Sequence, residues 1–424
     1  MTWYRIVSTR SAECHTTLCS RDDIRLEGLS WQTIEVFNPA IVGHKPQSAV
    51  LAMPSRTVVQ LLDFIPDAWR SMEQLLVGLA SRLRDEGCRT VHVFTGEPGE
   101  RMHAALQALD SPWLVVSDPM TARDARRITP LLSDMNPAMI QTHFLSLFNP
   151  LLRRIKHGSG ARRLVITDHS SGRASAKAFP GSLLSRLRTR HAATYIDQVI
   201  GVSQFVCRRD VEDVYFPADK VRCIHNGVDV RRFAPAATPR ADSRPFTIGF
   251  IGYHIPEKGL GTLLDAAARL AAQQRDFRLE VAGTGPHTDA FRRQAASLGL
   301  LARTRFVGQL ADTVPFYQRI DVLAVPSEWE EAFGFVVAEA AACGTCVVCS
   351  DAGGMPEIVG HRREAGIVIP RGRADTLAET LAALIDAPAE CRAIGLRARE
   401  RMVRQFSIDA TVDAYTKTLL PLMR

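Results

Sequence analysis

PSEWEEAFGFVVAEAAACGTCVVCSDAGGMPEIV, residues 326–359, decides how the rest of the chain is read. It runs as loop, helix, buried strand, glycine turn and helix start. Glu331 and Glu339 have seven residues between them. Eight helical steps set their backbones about 12 Å apart along the axis. The same steps bring the second carboxylate back to within about 80° of the first, so both can border one cleft. Phe333 and Gly334 mark the expected start of the helix, and a glycine there admits a ligand close to the backbone. The N–H groups of the first turn, at Phe335 and Val336, form an anion site without any side chain. A phosphate-sized anion site flanked by two carboxylates suits a sugar nucleotide. A Glu pair by itself is more often one solvated helix face. PS before it, FG within it and GG-x-PE after it make this stretch distinctive.

The chain has 424 residues, enough for two or three domains that each bury a core. It is 46% hydrophobic and 23% charged, with a net charge of +7. Lysine occurs only at 45, 156, 177, 220, 258 and 417, so arginine carries nearly all of the 52 basic residues. Arginine is the better fork for phosphate and carboxylate. The positive balance fits anionic substrates or an anionic membrane surface. No basic stripe interleaved with aromatics points to nucleic acid. Nine cysteines follow no disulfide-dense pattern, and MTWYRIVSTR has no apolar signal region, so reduced thiols in a cytosol are expected.

Residues 1–55 read as an extension of unclear role. Cys14, His15 and Cys19 lack a second ligand cluster, so a packed extension is the better reading than a metal site. From Thr57 the pattern is regular. Strands are expected over 57–64, 89–97, 138–144 and 163–170, with a loop over 65–74 and a helix ending at Gly87. Strand, helix, strand at this spacing is a βαβ unit and implies a parallel sheet. The stretch 235–245, with three prolines, reads as a linker. A second doubly wound domain follows over 246–405, with strands at 246–252, 277–285, 304–310, 321–327, 345–350 and 366–370. The amphipathic tail 406–424 completes the chain.

GYHIPEKG (252–259), TDHSSG (167–172) and residues 326–359 together resemble the retaining glycosyltransferases of the GT-B fold, glycosyltransferase family 4 in particular. The resemblance implies an α/β chain of two doubly wound, Rossmann-like domains facing a central cleft: an acceptor-side domain over 56–234 and a nucleotide-sugar domain over 246–405. It also implies a C-terminal helix crossing back to the first domain. By the same resemblance Glu331 binds hydroxyls of the transferred sugar, Glu339 binds the ribose, and His169 stands near the reacting carbon. Lys258 and the N–H groups near Gly334 stabilise the leaving diphosphate. Gly252, Gly283, Gln309 and Leu310 lie near the nucleotide, and Trp69, Arg70, Ser71 and His143 face the acceptor.

The chain departs from the family twice. The first loop lacks its usual glycines, with Trp69, Arg70 and Ser71 in their place, and Tyr253 replaces the arginine that usually follows the first glycine of its loop. The expected reaction is metal-independent transfer, with retention, from a nucleotide diphosphate sugar to a hydroxyl. A UDP-sugar is favoured as donor, with a GDP-sugar as the alternative, and no resident cofactor is implied. The acceptor is left open among a small metabolite, a polysaccharide and a lipid-linked sugar. The expected place is the cytoplasm, with peripheral contact to the membrane face left open. Two rivals remain: a sugar-nucleotide epimerase of the same fold, and a sugar-nucleotide-binding protein impaired in turnover by Tyr253. The C-x-x-C of Cys343 and Cys346, with Cys349 beyond it, reads as buried reduced thiols.

Overall fold

The computed structural model describes residues 4–7, 16–19, 56–116, 124–172, 183–237, 245–360 and 363–424. The chain divides into two compact units, Met1–Leu51 and Ala52–Arg424. In the first, β1 (Tyr4–Val7) and β2 (Thr16–Cys19) pair antiparallel. Cys14, His15 and most of the proline-rich stretch 235–245 lie outside the described residues.

The larger unit holds two parallel sheets. The first contains β3 (Arg56–Leu62), β4 (Cys88–Phe94), β5 (Trp113–Val115), β6 (Pro137–His143), β7 (Arg163–Asp168), β8 (Gln198–Gly201) and β9 (Val221–Cys223). Their spatial order is β5-β4-β3-β6-β7-β8-β9. The second contains β10 (Phe246–Ile251), β11 (Phe277–Ala282), β12 (Thr304–Gly308), β13 (Val322–Val325), β14 (Cys346–Ser350) and β15 (Ile367–Ile369), in the order β12-β11-β10-β13-β14-β15. Each order reverses once, between β3 and β6 and between β10 and β13. Crevices at the carboxyl ends of such strand pairs are where open α/β sheets bind ligands. The strands are short apolar runs because helices cover both faces. On the second sheet, Leu263, Leu264 and Leu270 pack one face and Val337, Ala341 and Met355 the other.

Two local readings are corrected. The expected loop over 65–74 ends early, because Ser71–Asp85 is helical. Glu73 caps that helix by accepting from the Arg70 backbone N–H at 2.9 Å. Glu331 and Glu339 do not share a helix, because the helix is Phe335–Ala342 and Glu331 precedes it. Glu331 instead forms a parallel bridge with Gly353.

The C-terminal helix Ile408–Leu422 starts at Ser407, whose hydroxyl accepts from Ala410 N–H at 3.2 Å. It lays Val412, Tyr415 and Leu419 against Val58, Leu79 and Leu83 of the first sheet's layer. Asp413 pairs with Arg82 at 2.9 Å. Among the described residues no helix is long and apolar enough to cross a membrane.

Candidate active site

The loops that follow β10 and β13 meet at the point where the second sheet reverses its order. The carbonyl of Glu257 accepts from Glu328 N–H at 2.8 Å, Trp329 N–H at 3.1 Å and the Ser327 hydroxyl at 3.2 Å. Stitched this way, the loops bring Lys258 Nζ to 2.5 Å from Glu331 Oε1. Ser327 Oγ lies 3.3 Å from the same oxygen. The Glu331 backbone is held from the other side, where its carbonyl accepts from Gly354 N–H at 2.8 Å. Gly353 sits at φ +64°, and a Cβ there would lie 2.1 Å from the Glu331 carbonyl oxygen. Only glycine allows both that conformation and that approach.

Gly334, at φ +105°, precedes the Phe335–Ala342 helix. Val337 and Ala338 donate back to the Gly334 carbonyl, so the N–H groups before them stand outside the helical ladder. The carbonyl dipoles of the helix also favour an anion there. One turn on, Glu339 is half-buried and accepts from the Tyr317 hydroxyl at 2.8 Å. Burial pushes its carboxyl up to about 7, against the opposing pull of the Tyr317 hydroxyl and of Arg232 and Arg70. Arg70 and Arg232 both precede the second sheet in the chain, so segments from the two sides share one electrostatic site at Glu339. Arg232 is itself held by Asp312 at 3.0 Å and by the Trp69 carbonyl at 3.3 Å.

His169 follows β7. Its loop is tied to the Glu331 loop: Gly172 N–H donates to the Glu330 carbonyl at 2.6 Å, and Ala332 N–H to Ser171 Oγ at 3.2 Å. Arg209 fixes the same loop by donating to the Ser170 carbonyl and pairing with Asp168, each at 2.7 Å. His169 stacks on Phe144 at 4.3 Å.

Other expected residues fall differently. His143 is 0% exposed, so it cannot face an acceptor and reaches the cleft only through His169. The Phe333 side chain is core, 2% exposed and packed on Phe335 and Phe406. Ser71 is buried in its helix's first turn. Trp69 packs beneath the Arg101 guanidinium at 4.6 Å. Tyr253 and Gln309 are exposed, while Leu310 and Val336 lean on the core. Gly252 and Gly283 meet so closely that a Cβ on Gly283 would lie 1.9 Å from the Gly252 carbonyl oxygen. Cys343, Cys346 and Cys349 are buried thiols in no disulfide. Among the described residues no group of three or more His, Cys, Asp or Glu could hold a metal ion.

Sequence reasoning missed Ser327, Tyr317, Arg232 and Gln60. Each is a common residue type in an ordinary strand, helix or loop, and only contact gives it a role.

Two family descriptions match successive parts of the chain: Glycosyltransferase Family 4 over residues 72–232, and Glycosyl transferases group 1 over residues 236–401. This chain belongs with the GT-B glycosyltransferases. Among curated relatives of this glycosyltransferase, a GDP-mannose-dependent monoacylated alpha-(1-6)-phosphatidylinositol monomannoside mannosyltransferase of Corynebacterium glutamicum is 26% identical over 278 residues. That match covers 62% of this chain and 71% of the relative. A D-inositol 3-phosphate glycosyltransferase of Rhodococcus jostii is 33% identical over 46% of each chain, so this chain spans about half of that relative's length. A solved glycosyltransferase of Rickettsia africae aligns with a TM-score of 0.70 at 18% identity, over 87% of this chain and 99% of that one. The Anabaena HepE protein, solved with UDP-glucose, aligns at 0.65 and 22%, over 85% and 99%.

Proposed function

We propose that this glycosyltransferase moves a sugar from a nucleotide diphosphate sugar to a hydroxyl acceptor, with retention at the anomeric carbon and without a metal ion. The observation that carries the reading is the Lys258–Glu331 pair, set beside the open helix start at Gly334 where the strand order reverses. Charge develops on the diphosphate as the glycosidic bond breaks. Lys258 and the first-turn N–H groups offer it fixed donors, the arrangement that stabilises developing anions most strongly. They stand where a cation would otherwise be needed. Glu331 accepts from sugar hydroxyls and Glu339 from ribose hydroxyls. His169 stands by the transferred sugar, its loop joined to that of Glu331, and the seam between the domains excludes water.

The donor is a UDP-sugar or a GDP-sugar. HepE was solved with the first, and the Corynebacterium relative is named for GDP-mannose. The reading places the chain in the cytoplasm. A thermal-shift series with UDP, GDP, ADP and their sugars tests it. The preferred ligand raises Tm in proportion to the logarithm of its concentration, and Lys258→Ala removes that preference. No shift with any of them sinks the proposal. Tyr253, 58% exposed where the family carries an arginine, supports one second reading: binding without turnover. Release of free nucleotide together with a glycoside of retained configuration excludes that reading and an epimerase as well.

A further inference from the structure

The first sheet contains a line of polar side chains where a doubly covered parallel sheet is normally apolar. Gln60 on β3, Gln141 and His143 on β6, and Thr167 on β7 are each at most 1% exposed. They are joined end to end. Gln141 Nε2 donates to Thr167 Oγ1 at 2.9 Å, and Gln60 Nε2 donates to Gln141 Oε1 at 3.0 Å. Gln60 Oε1 is 3.0 Å from His143 Nε2, and His143 Nδ1 is 3.0 Å from His169 Nε2.

The amides set the protons on the rings. An amide oxygen only accepts, so His143 Nε2 carries the hydrogen bonded to Gln60. A neutral imidazole carries one N–H, so His143 Nδ1 is an acceptor. The hydrogen between the two rings therefore sits on His169 Nε2, and His169 Nδ1 is bare. That Nδ1 has no partner among the described residues. Phe144, stacked on His169 with 19° between the rings, fixes the plane in which it lies. Burial keeps both rings neutral: it holds the His169 ring down to about 4 and the His143 ring well below its usual range.

We propose that Gln60 and His143 are positioning residues whose relay holds His169 as its Nε2–H tautomer, presenting Nδ1 as a neutral hydrogen-bond acceptor to a substrate hydroxyl. The proposal rests on the reading of the cleft as a sugar-transfer site. A relay of opposite polarity requires both glutamine amides turned and Thr167 as donor. It would leave His169 with N–H on Nδ1, unable to accept a hydroxyl proton there.

The full chain labelled with [15N]histidine tests the relay by long-range imidazole spectra, with His169→Gln assigning the signals. Between pH 6 and 8 the wild type is expected to show His169 protonated on Nε2 alone. Gln60→Leu removes the acceptor, mixes the tautomers and lowers kcat/KM on the order of 10-fold or more. Gln60→Glu keeps the shape but adds a negative charge beside His143. It moves the acid limb of the kcat/KM profile up by about one pH unit, a change that a purely structural glutamine would not produce. His169 protonated on Nδ1 in the wild type, or spectra unchanged in both Gln60 variants, overturns the relay. A wild type with the expected tautomer that turns over no nucleotide sugar instead overturns the function and leaves the relay standing.

Discussion

At Glu331 the carboxylate is already occupied by Lys258, with Ser327 Oγ close by, whereas among the described residues Glu339 meets the Tyr317 hydroxyl and the more distant arginines. Their responses to pH should therefore differ. With its carboxyl near 7, Glu339 ionises across the neutral range. A ribose hydroxyl donates to the ionised form, so nucleotide affinity measured calorimetrically should rise about 10-fold from pH 6 to pH 8. In Glu339→Gln it should be flat and lower throughout; a flat wild-type profile would remove Glu339 from the ribose. The same group affects stability with a definite sign. Its native value is raised, so its contribution is fully present below the ordinary 4.5 and is lost as pH rises through about 7.

Among the elements, the bridge between Glu331 and Gly353 places the carboxylate that no helix holds. Gly353→Ala would force a Cβ to 2.1 Å from the Glu331 carbonyl oxygen at φ +64°. Relief requires the bridge to open, at a cost of about 1–3 kcal/mol. The expected result is a lowered Tm together with a fall in kcat larger than the change in nucleotide affinity, because Glu331 moves while Glu339 stays on its helix. A variant with full kcat and an unshifted melt would show that the bridge is dispensable.

Across the whole molecule, Glu357 fastens the second domain to the first. Its carboxylate accepts from Gln204 N–H at 2.8 Å and Phe205 N–H at 2.7 Å, the open start of the Gln204–Glu212 helix, and from His225 Nε2 at 2.8 Å. Burial raises the carboxyl, but these three bonds outweigh it and hold Glu357 below the ordinary 4.5. The native value is depressed, so the stabilisation is present above 4.5 and is lost as pH falls through the native value. Glu357→Gln should cost about 2 kcal/mol near neutrality. The Tm difference from wild type should shrink as pH falls below 4.5; a difference that persists undiminished in acid would show that the carboxylate charge is not what fastens the domains. The cavity at this seam, about 340 Å³, is lined from both domains by Phe205, Arg208, Glu330 and Arg371, among others.

Two doubly wound sheets were legible in the chain because short apolar strands alternating with amphipathic helices repeat a local pattern that nearest neighbours enforce. As candidates, Lys258, Glu331 and Gly334 stood out in the chain because each lies in a loop that follows a strand and carries a glycine, and Glu339 because it follows on the helix that Gly334 opens. Contact between segments decided the rest. Glu331 is placed not by helical spacing from Glu339 but by Gly353, 22 residues on, which bridges its backbone. His143 sank into the core because Gln60, 83 residues away, gives it a buried partner. Glu357 became a fastening only when the first domain brought it a helix start and a histidine. Hydrogen bonds and charges between distant segments leave no period in a sequence, and they exist only once the sheets have brought their loops together.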